Sequence, residues 1–596
     1  MTAVALAVLL GAAGIRAEEI LPLSKVVPGM KGWGLTVVKG RQIERFEIEV
    51  LGVIPALAPG RSTIIVRASG LGLENSGIVA GMSGSPVYLD GKLAGALSSG
   101  FPFEKEAIGV VTPIESMLSI EGAPSAPAGR PASTFRPSEL LEALGASAGA
   151  GFETLERRFR EMESLLPPAA TNLLAPSWSA IPAETLLRHD RLLSRMGVTE
   201  AVAAAPGAGA PDAPSSSPPT LGVGGAITAL LVDGDYQLGA TGTVTRVGGD
   251  GSFVAFGHPF LGMGELEVPV APATVLTIVP SVYTSFKVGH PAGAATWRLT
   301  KDRDSGVAGR TDGTAAMVPV RFRFRSGATT RELAYRVAPH PRLLPLLLAI
   351  STDAALTTSD PTPRDRTLRF RVSIDTAAGP VAWEDLLSGP RAKEAAVLTT
   401  SVLAGLLTDN EFADPKISGV TIDAASDAGE RRLRLVDAAL ASRRVAPGAD
   451  VVATVRLADR RGTESTEVVR LSVPRELPDG RATLVVGDGN AISGLRLSLE
   501  PGEPGSLEDL RRFVERIVPA DRLGAALVVP GRGAVTGTST LTALPPSAAA
   551  LLGDGERGDG SRHTLGSRIV AERLVVLDRP MTGAVRLEFE IERPRS

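Results

Sequence analysis

Short β-branched runs, broken at close intervals by glycine, proline and Asp-Gly turns, constrain this chain more than any other feature. Between residues 20 and 120 they read VVPGMKGWGLTVV, RFEIEVLGVI, STIIVRAS, PVYLDGKLAGALSSG and AIGVVTPI. Runs of this length and composition predict strands, and Asp90-Gly91 between PVYL and KLAGAL predicts a two-residue hairpin. With 66 glycines, 45 prolines and 4% aromatic residues, the chain favours many strands and turns over long helices. Its 596 residues suggest about four domains at roughly 150 residues each.

The period changes along the chain. Residues 18–120 read as one β block. A Pro/Ala/Gly-rich stretch opens 121–202, which continues as a helical insert: SELLEAL, FETLERRFREMESLL and AETLLRHDRLLSRMGV space apolar residues at i, i+3, i+4. Ser138 is placed as the N-cap of the first helix. Residues 203–220, AAAPGAGAPDAPSSSPPT, read as a flexible low-complexity linker. A second β block covers 221–340, a mixed α/β connector 341–430, and a β-rich module 431–596. The last reads as a β-sandwich with one helix, SLEDLRRFVERIV.

Composition narrows function mainly by exclusion. A net charge of −3 provides no basic field for nucleic acid. Without cysteine there is no disulfide, thiolate metal site or Cys nucleophile. No His-Glu-x-x-His, zinc set or phosphate-binding loop occurs, so neither a metal nor a cofactor is expected. Residues 1–17 contain the apolar run Ala3–Ile15 with Ala17 beyond it, which reads as a signal peptide and predicts an exported, periplasmic, envelope-associated or extracellular protein. No later segment reaches the ~18 apolar residues of a membrane helix.

The run Gly81-Met82-Ser83-Gly84-Ser85-Pro86, set between strands, carries chemistry. A nucleophilic hydroxyl must sit on a tight turn whose glycines let the backbone approach a substrate. Ser83 then fits the nucleophile, and the N–H groups of Gly81 and Ser83 fit an oxyanion hole. Because position 85 is Ser, the run is not a Gly-x-Ser-x-Gly elbow. Five histidines are candidates for a base. His189 reads as lying on a solvated helix face, His290 and His340 as loop residues before proline, and His563 as part of a polar loop. His258 stands in Gly-His-Pro, a turn that is ordinarily structural.

The runs GIVAGMSGSPVYLDGKLAGAL and AIGVVTPIESML, with GLTVVKGRQIERFEIEVLGV upstream, resemble the SpoIVB-type serine peptidases of the chymotrypsin-like clan. ATGTVTRVGGDGSFVAFGHPF and DRDSGVAGR resemble the block that carries that family's histidine. The resemblance covers residues 29–120 and about 235–310. It implies a mainly β fold: a chymotrypsin-like double β-barrel assembled from two separated sequence blocks, with the helical insert and the C-terminal sandwich-like module outside it. It also implies Ser83 and His258 as the catalytic pair and a protein or peptide substrate. The order is reversed relative to the family, with the Ser block first, as in a circular permutation; triads are defined by geometry, so this does not forbid catalysis.

The family's acid falls on Ala68, which cannot carry charge. The third member of the triad is therefore unknown. Asp250, Asp302, Asp304 and Glu74 are the acids nearest in sequence, and none aligns with the family position. The expectation is that no carboxylate meets the ring, and that an aspartate installed at position 68 raises the rate. Two readings follow: an exported serine endopeptidase, and a catalytically inactive envelope scaffold or binding protein that keeps the protease fold.

Overall fold

A computed structural model describes residues 19–58, 61–122, 139, 150–167, 174–197, 221–361, 365–499, 504–536, 539–541, 544–545 and 562–593. The signal-peptide reading, the Ser138 cap and the 203–220 linker fall outside the described residues.

Alternation closes the first barrel. In β2 (Ile43–Ala58), Phe46, Ile48 and Val50 are buried at every second position, and in β3 (Arg61–Ser69) Ile64, Val66 and Ala68 follow suit. With β1 (Lys31–Val37), β4 (Pro86–Leu89), β5 (Lys92–Ser99) and β6 (Ile108–Pro113) they form a ring in the order β1-β2-β3-β6-β5-β4. The ring closes where Gly32–Gly34 pair with Val87–Leu89. The Asp90-Gly91 hairpin is present, with φ of +49° and +73°, the pair of positive values a two-residue turn of this hand requires.

The second β block closes a ring of its own. After β7 (Ala175–Ser179) come β8 (Ala226–Gly234), β9 (Gln237–Val247), β10 (Ser252–Ala255), β11 (Gly264–Val279), β12 (Phe286–Pro291), β13 (Trp297–Arg303) and β14 (Gly306–Arg310). Pairing runs β8-β9-β10-β14-β13-β11 and returns to β8 through Val270–Pro272 against Ile227–Ala229. Strand β7, unforeseen within the helical insert, adds to β9, and β12 adds to the far end of β11. The mainly β double barrel is therefore built from two separated blocks, each a complete six-stranded ring.

Beyond β8 the sheet continues through β16 (Thr329–Val337), β15 (Val318–Ser326), β19 (Gly419–Ala428), β17 (Arg366–Thr376) and β18 (Gly379–Gly389). Helices Leu344–Ser359 and Ala392–Thr408 are apolar around most of their circumference and are buried accordingly. The tail folds as two sheets over one core, with Val451, Ala453 and Val455 on one side and Leu484, Leu527 and Phe589 on the other. Among its described residues the tail carries two helices where one was expected. Leu507–Glu515 starts at Ser506, whose hydroxyl accepts the Asp509 N–H at 3.1 Å. Gly489–Leu499, with a glycine at each of positions 489 and 494, has too weak an apolar stripe to be read from sequence.

Candidate active site

The Ser83 turn is made by local bonds. Met82 N–H donates to Val79 O at 3.0 Å and Ser85 N–H to Met82 O at 2.8 Å, which places Ser83 and Gly84 at the corner. Gly81 and Gly84 have φ of +99° and +92°, a region costly for any residue with a Cβ. The turn is held from behind by β5, where Gly84 N–H donates to Leu97 O at 2.7 Å and Leu97 N–H to Ser85 O at 2.9 Å.

The second barrel holds the turn from the front. Thr243 N–H donates to Ser83 O at 2.7 Å, and the Thr243 hydroxyl to Gly81 O at 3.0 Å. The Thr245 hydroxyl donates to Gly84 O at 2.8 Å. From the His258 segment, Gly257 O accepts the Thr112 hydroxyl of β6 at 2.6 Å. The structure thus brings the two sequence blocks together at one seam.

Ser83 is fully buried, and its hydroxyl donates to the carbonyl of Phe256. Phe256 itself adopts φ +72°, a strained conformation for a bulky residue. The His258 ring lies two residues further on and is buried. Its Nδ1 is 2.6 Å from Pro259 O. A carbonyl can only accept, so Nδ1 carries the proton and Nε2 is left with a lone pair. Nε2 is buried without a hydrogen-bond partner, so the Ser83 hydroxyl is not bonded to it. Burial pushes the imidazole pKa down to about 4, against the opposing pull of the Pro259 carbonyl. The ring is therefore neutral near pH 7.

Among the described residues, no carboxylate hydrogen-bonds this ring. Asp302 comes nearest in role. It is buried and accepts the N–H groups of Phe260, Leu261 and Met263 at 2.7, 2.8 and 3.1 Å, which clamps the turn that follows His258-Pro259. Burial pushes its carboxyl up, against those three amides. Asp250 accepts from Ser252 N–H and hydroxyl, Glu74 from Gly70 N–H, and Asp304 sits in the turn between β13 and β14.

Ala68 lies in the apolar core of the first barrel with Phe46, Ile48 and Leu73. This reverses the expectation that an aspartate there would raise the rate. Ala68→Asp buries a carboxyl among hydrocarbon side chains and is expected to lower the unfolding free energy by about 3–5 kcal/mol, the range for an unpaired buried charge. Urea denaturation measures it; an unchanged midpoint together with faster hydrolysis would restore the sequence expectation.

Three of the other histidines differ from their sequence readings. His189 is not solvated: it is buried at the junction of two short helices, with Nε2 3.4 Å from Asp353 Oδ2. His290 lies within β12, and His563 on the strand Arg562–Val576, not in loops.

Sequence reading missed the seam threonines and Lys287. The threonines had a signal: in ATGTVTRV they occupy every second position, hence one face of β9. Lys287 on β12 had almost none. It is buried, and its Nζ donates to Thr36 Oγ1 and to Gly81 O, both at 2.9 Å. Burial lowers its pKa to about 7.

The peptide N–H groups of Gly81 and Ser83 donate to no group among the described residues. Both residues are buried. A cleft of about 500 Å³ opens between residues 74–78 and 100–105 of the first barrel and 280–285 of the second, and neither Ser83 nor His258 lines it. Its rim exposes Phe101, Phe103, Val282 and Tyr283, and the Phe103 and Tyr283 rings meet edge-on at 5.3 Å.

The family model described as SpoIVB peptidase S55 matches residues 22–118. The match spans the first barrel and the Ser83 turn, names the family that the Gly81–Pro86 run resembles, and supports a peptidase function in general terms. It ends before the His258 block. No curated protein matches the chain, and no solved structure matches it.

Proposed function

We propose that the protein is an exported serine endopeptidase in which Ser83 is the nucleophile and His258 the base. The observation that carries this reading is the convergence of the two blocks on one hydroxyl: Ser83 donates to the backbone of the segment that bears His258, although Phe256 is 173 positions further along the chain. Export rests on the apolar run Ala3–Ile15. Among the described residues, no helix is long and apolar enough to cross a membrane.

The chemistry starts when the Ser83 hydroxyl leaves Phe256 O for His258 Nε2. That exchange takes the Ser83 bond from the Phe256 carbonyl and gives the orphaned Nε2 a partner. Ser83 Oγ then bonds to the substrate carbonyl carbon as its proton passes to Nε2, and the N–H groups of Gly81 and Ser83 receive the oxyanion. Collapse breaks the C–N bond, with the proton passing from Nε2 to the departing amine. Water repeats the sequence to release the acid. With Pro259 O in place of a carboxylate, the imidazolium is less stabilised, and a rate about 10⁴-fold below that of a full triad is in keeping with this.

The test is labelling with a fluorophosphonate, mapped by mass spectrometry to Ser83 and followed against pH. A neutral imidazole is the active form, so labelling and kcat/KM should fall only as pH drops through about 4. An acid limb near the ordinary histidine value would assign the base elsewhere. The full burial of Ser83 and the lack of a carboxylate at the His258 ring among the described residues favour the second reading, an inactive scaffold. A folded protein that neither labels nor hydrolyses peptides would decide for it.

A further inference from the structure

Lys287 comes from the second barrel yet makes two bonds to the stretch just before Ser83. Its backbone N–H donates to Ala80 O at 2.9 Å, and its Nζ donates to Gly81 O at 2.9 Å. These two carbonyls belong to the peptide groups on either side of the Gly81 Cα. A trans peptide is planar, with N–H opposed to C=O, so fixing Ala80 O fixes the direction of the Gly81 N–H. Gly81 O is held twice, by this amine and by the Thr243 hydroxyl at 3.0 Å, which keeps the next peptide from flipping and carrying the turn with it. The lysine stem also fills the space beside Gly81, where a Cβ would lie 2.8 Å from Lys287 Cδ.

We propose that Lys287 is a positioning residue: its backbone N–H sets the Gly81 amide through Ala80 O, and its amine steadies the following peptide through Gly81 O, so that the Gly81 N–H keeps facing the oxyanion of the Ser83 reaction. The proposal rests on the serine peptidase reading above. A buried lysine is a costly way to fill a core, and a methionine of similar length would pack there without desolvating an amine. The amine is held by two neutral oxygens, Thr36 Oγ1 and Gly81 O. A neutral amine has two N–H groups, one for each, and burial favours that form. The bond to Gly81 O is what the amine supplies and a methionine cannot.

The variants K287M and T36V test this in the full chain. K287M keeps the stem, the backbone bond to Ala80 O and the Thr243 bond to Gly81 O, and removes only the amine's bond to Gly81 O. It should lower kcat by about 10- to 100-fold with KM changed less than about twofold, and slow fluorophosphonate labelling of Ser83 by the same factor, since an oxyanion donor acts mainly in the transition state. T36V keeps the Gly81 bond and should leave kcat within about threefold. Thermal melting checks that each variant is folded; if K287M does not fold, K287Q replaces it in the same comparison. Wild-type kcat and labelling in K287M would overturn the proposal while leaving the peptidase reading intact. An equal loss in T36V would also overturn it, because the Gly81 bond would not be the cause. Wild-type protein inert to both substrate and probe would overturn both readings.

Discussion

Ser83→Ala is expected to reduce peptide hydrolysis by at least about 10³-fold and to remove fluorophosphonate labelling altogether. The side chain makes one hydrogen bond, to Phe256 O, so the folded state should lose only about 1 kcal/mol. Removing the His258 ring by H258A should cost about as much activity as S83A. The double variant should be no worse than either alone, because a nucleophile and its base act as one unit. The measurement is kcat/KM on an unstructured peptide substrate, with circular dichroism to show that each variant is folded. Hydrolysis that persists in S83A would place the nucleophile elsewhere and end the present assignment.

Gly84→Ala should damage the fold itself. A Cβ on residue 84 would stand 2.0 Å from Thr243 O and 2.4 Å from Phe256 N, and φ there is +92°. Both atoms are backbone of the second barrel, so no side chain can rotate out of the way. The seam must open or the turn must rebuild, and either costs more than the conformational penalty alone. A loss above about 3 kcal/mol is expected, whereas Gly70→Ala should lose about 1–2 kcal/mol. Gly70 also has positive φ, +86°, but nothing lies within 4 Å of its added Cβ. Chemical denaturation of the two variants separates close approach from backbone strain. Equal midpoints would mean that the barrels do not meet as closely at Gly84 as this geometry requires. G84A should also slow labelling at Ser83, since Thr243 and Thr245 hold the turn only while the seam is closed.

The sequence by itself determined the strands of the first barrel, the β character of the second block, the Asp90-Gly91 hairpin and the Gly81–Gly84 turn, though it read the His290 stretch of β12 as loop. Each depends on neighbours a few residues apart: alternation decides which face of β2 or β3 is apolar, and positive φ selects glycine. Sequence also proposed Ser83 as nucleophile, from its turn, and His258 as base, only through a resemblance, because no local rule links two positions so far apart. The tertiary structure alone decided what those residues touch. It gave the Ser83 hydroxyl to Phe256 O, seated His258 Nδ1 on Pro259 O, turned Asp302 toward three amides of the loop and not toward the ring, and put Ala68 inside a barrel. It also brought Lys287 beneath Gly81. Each of these pairings joins groups by direction and distance across packed segments, and hydrogen bonds of that kind are set by how the two barrels meet. Periodicity within either block carries no information about that contact.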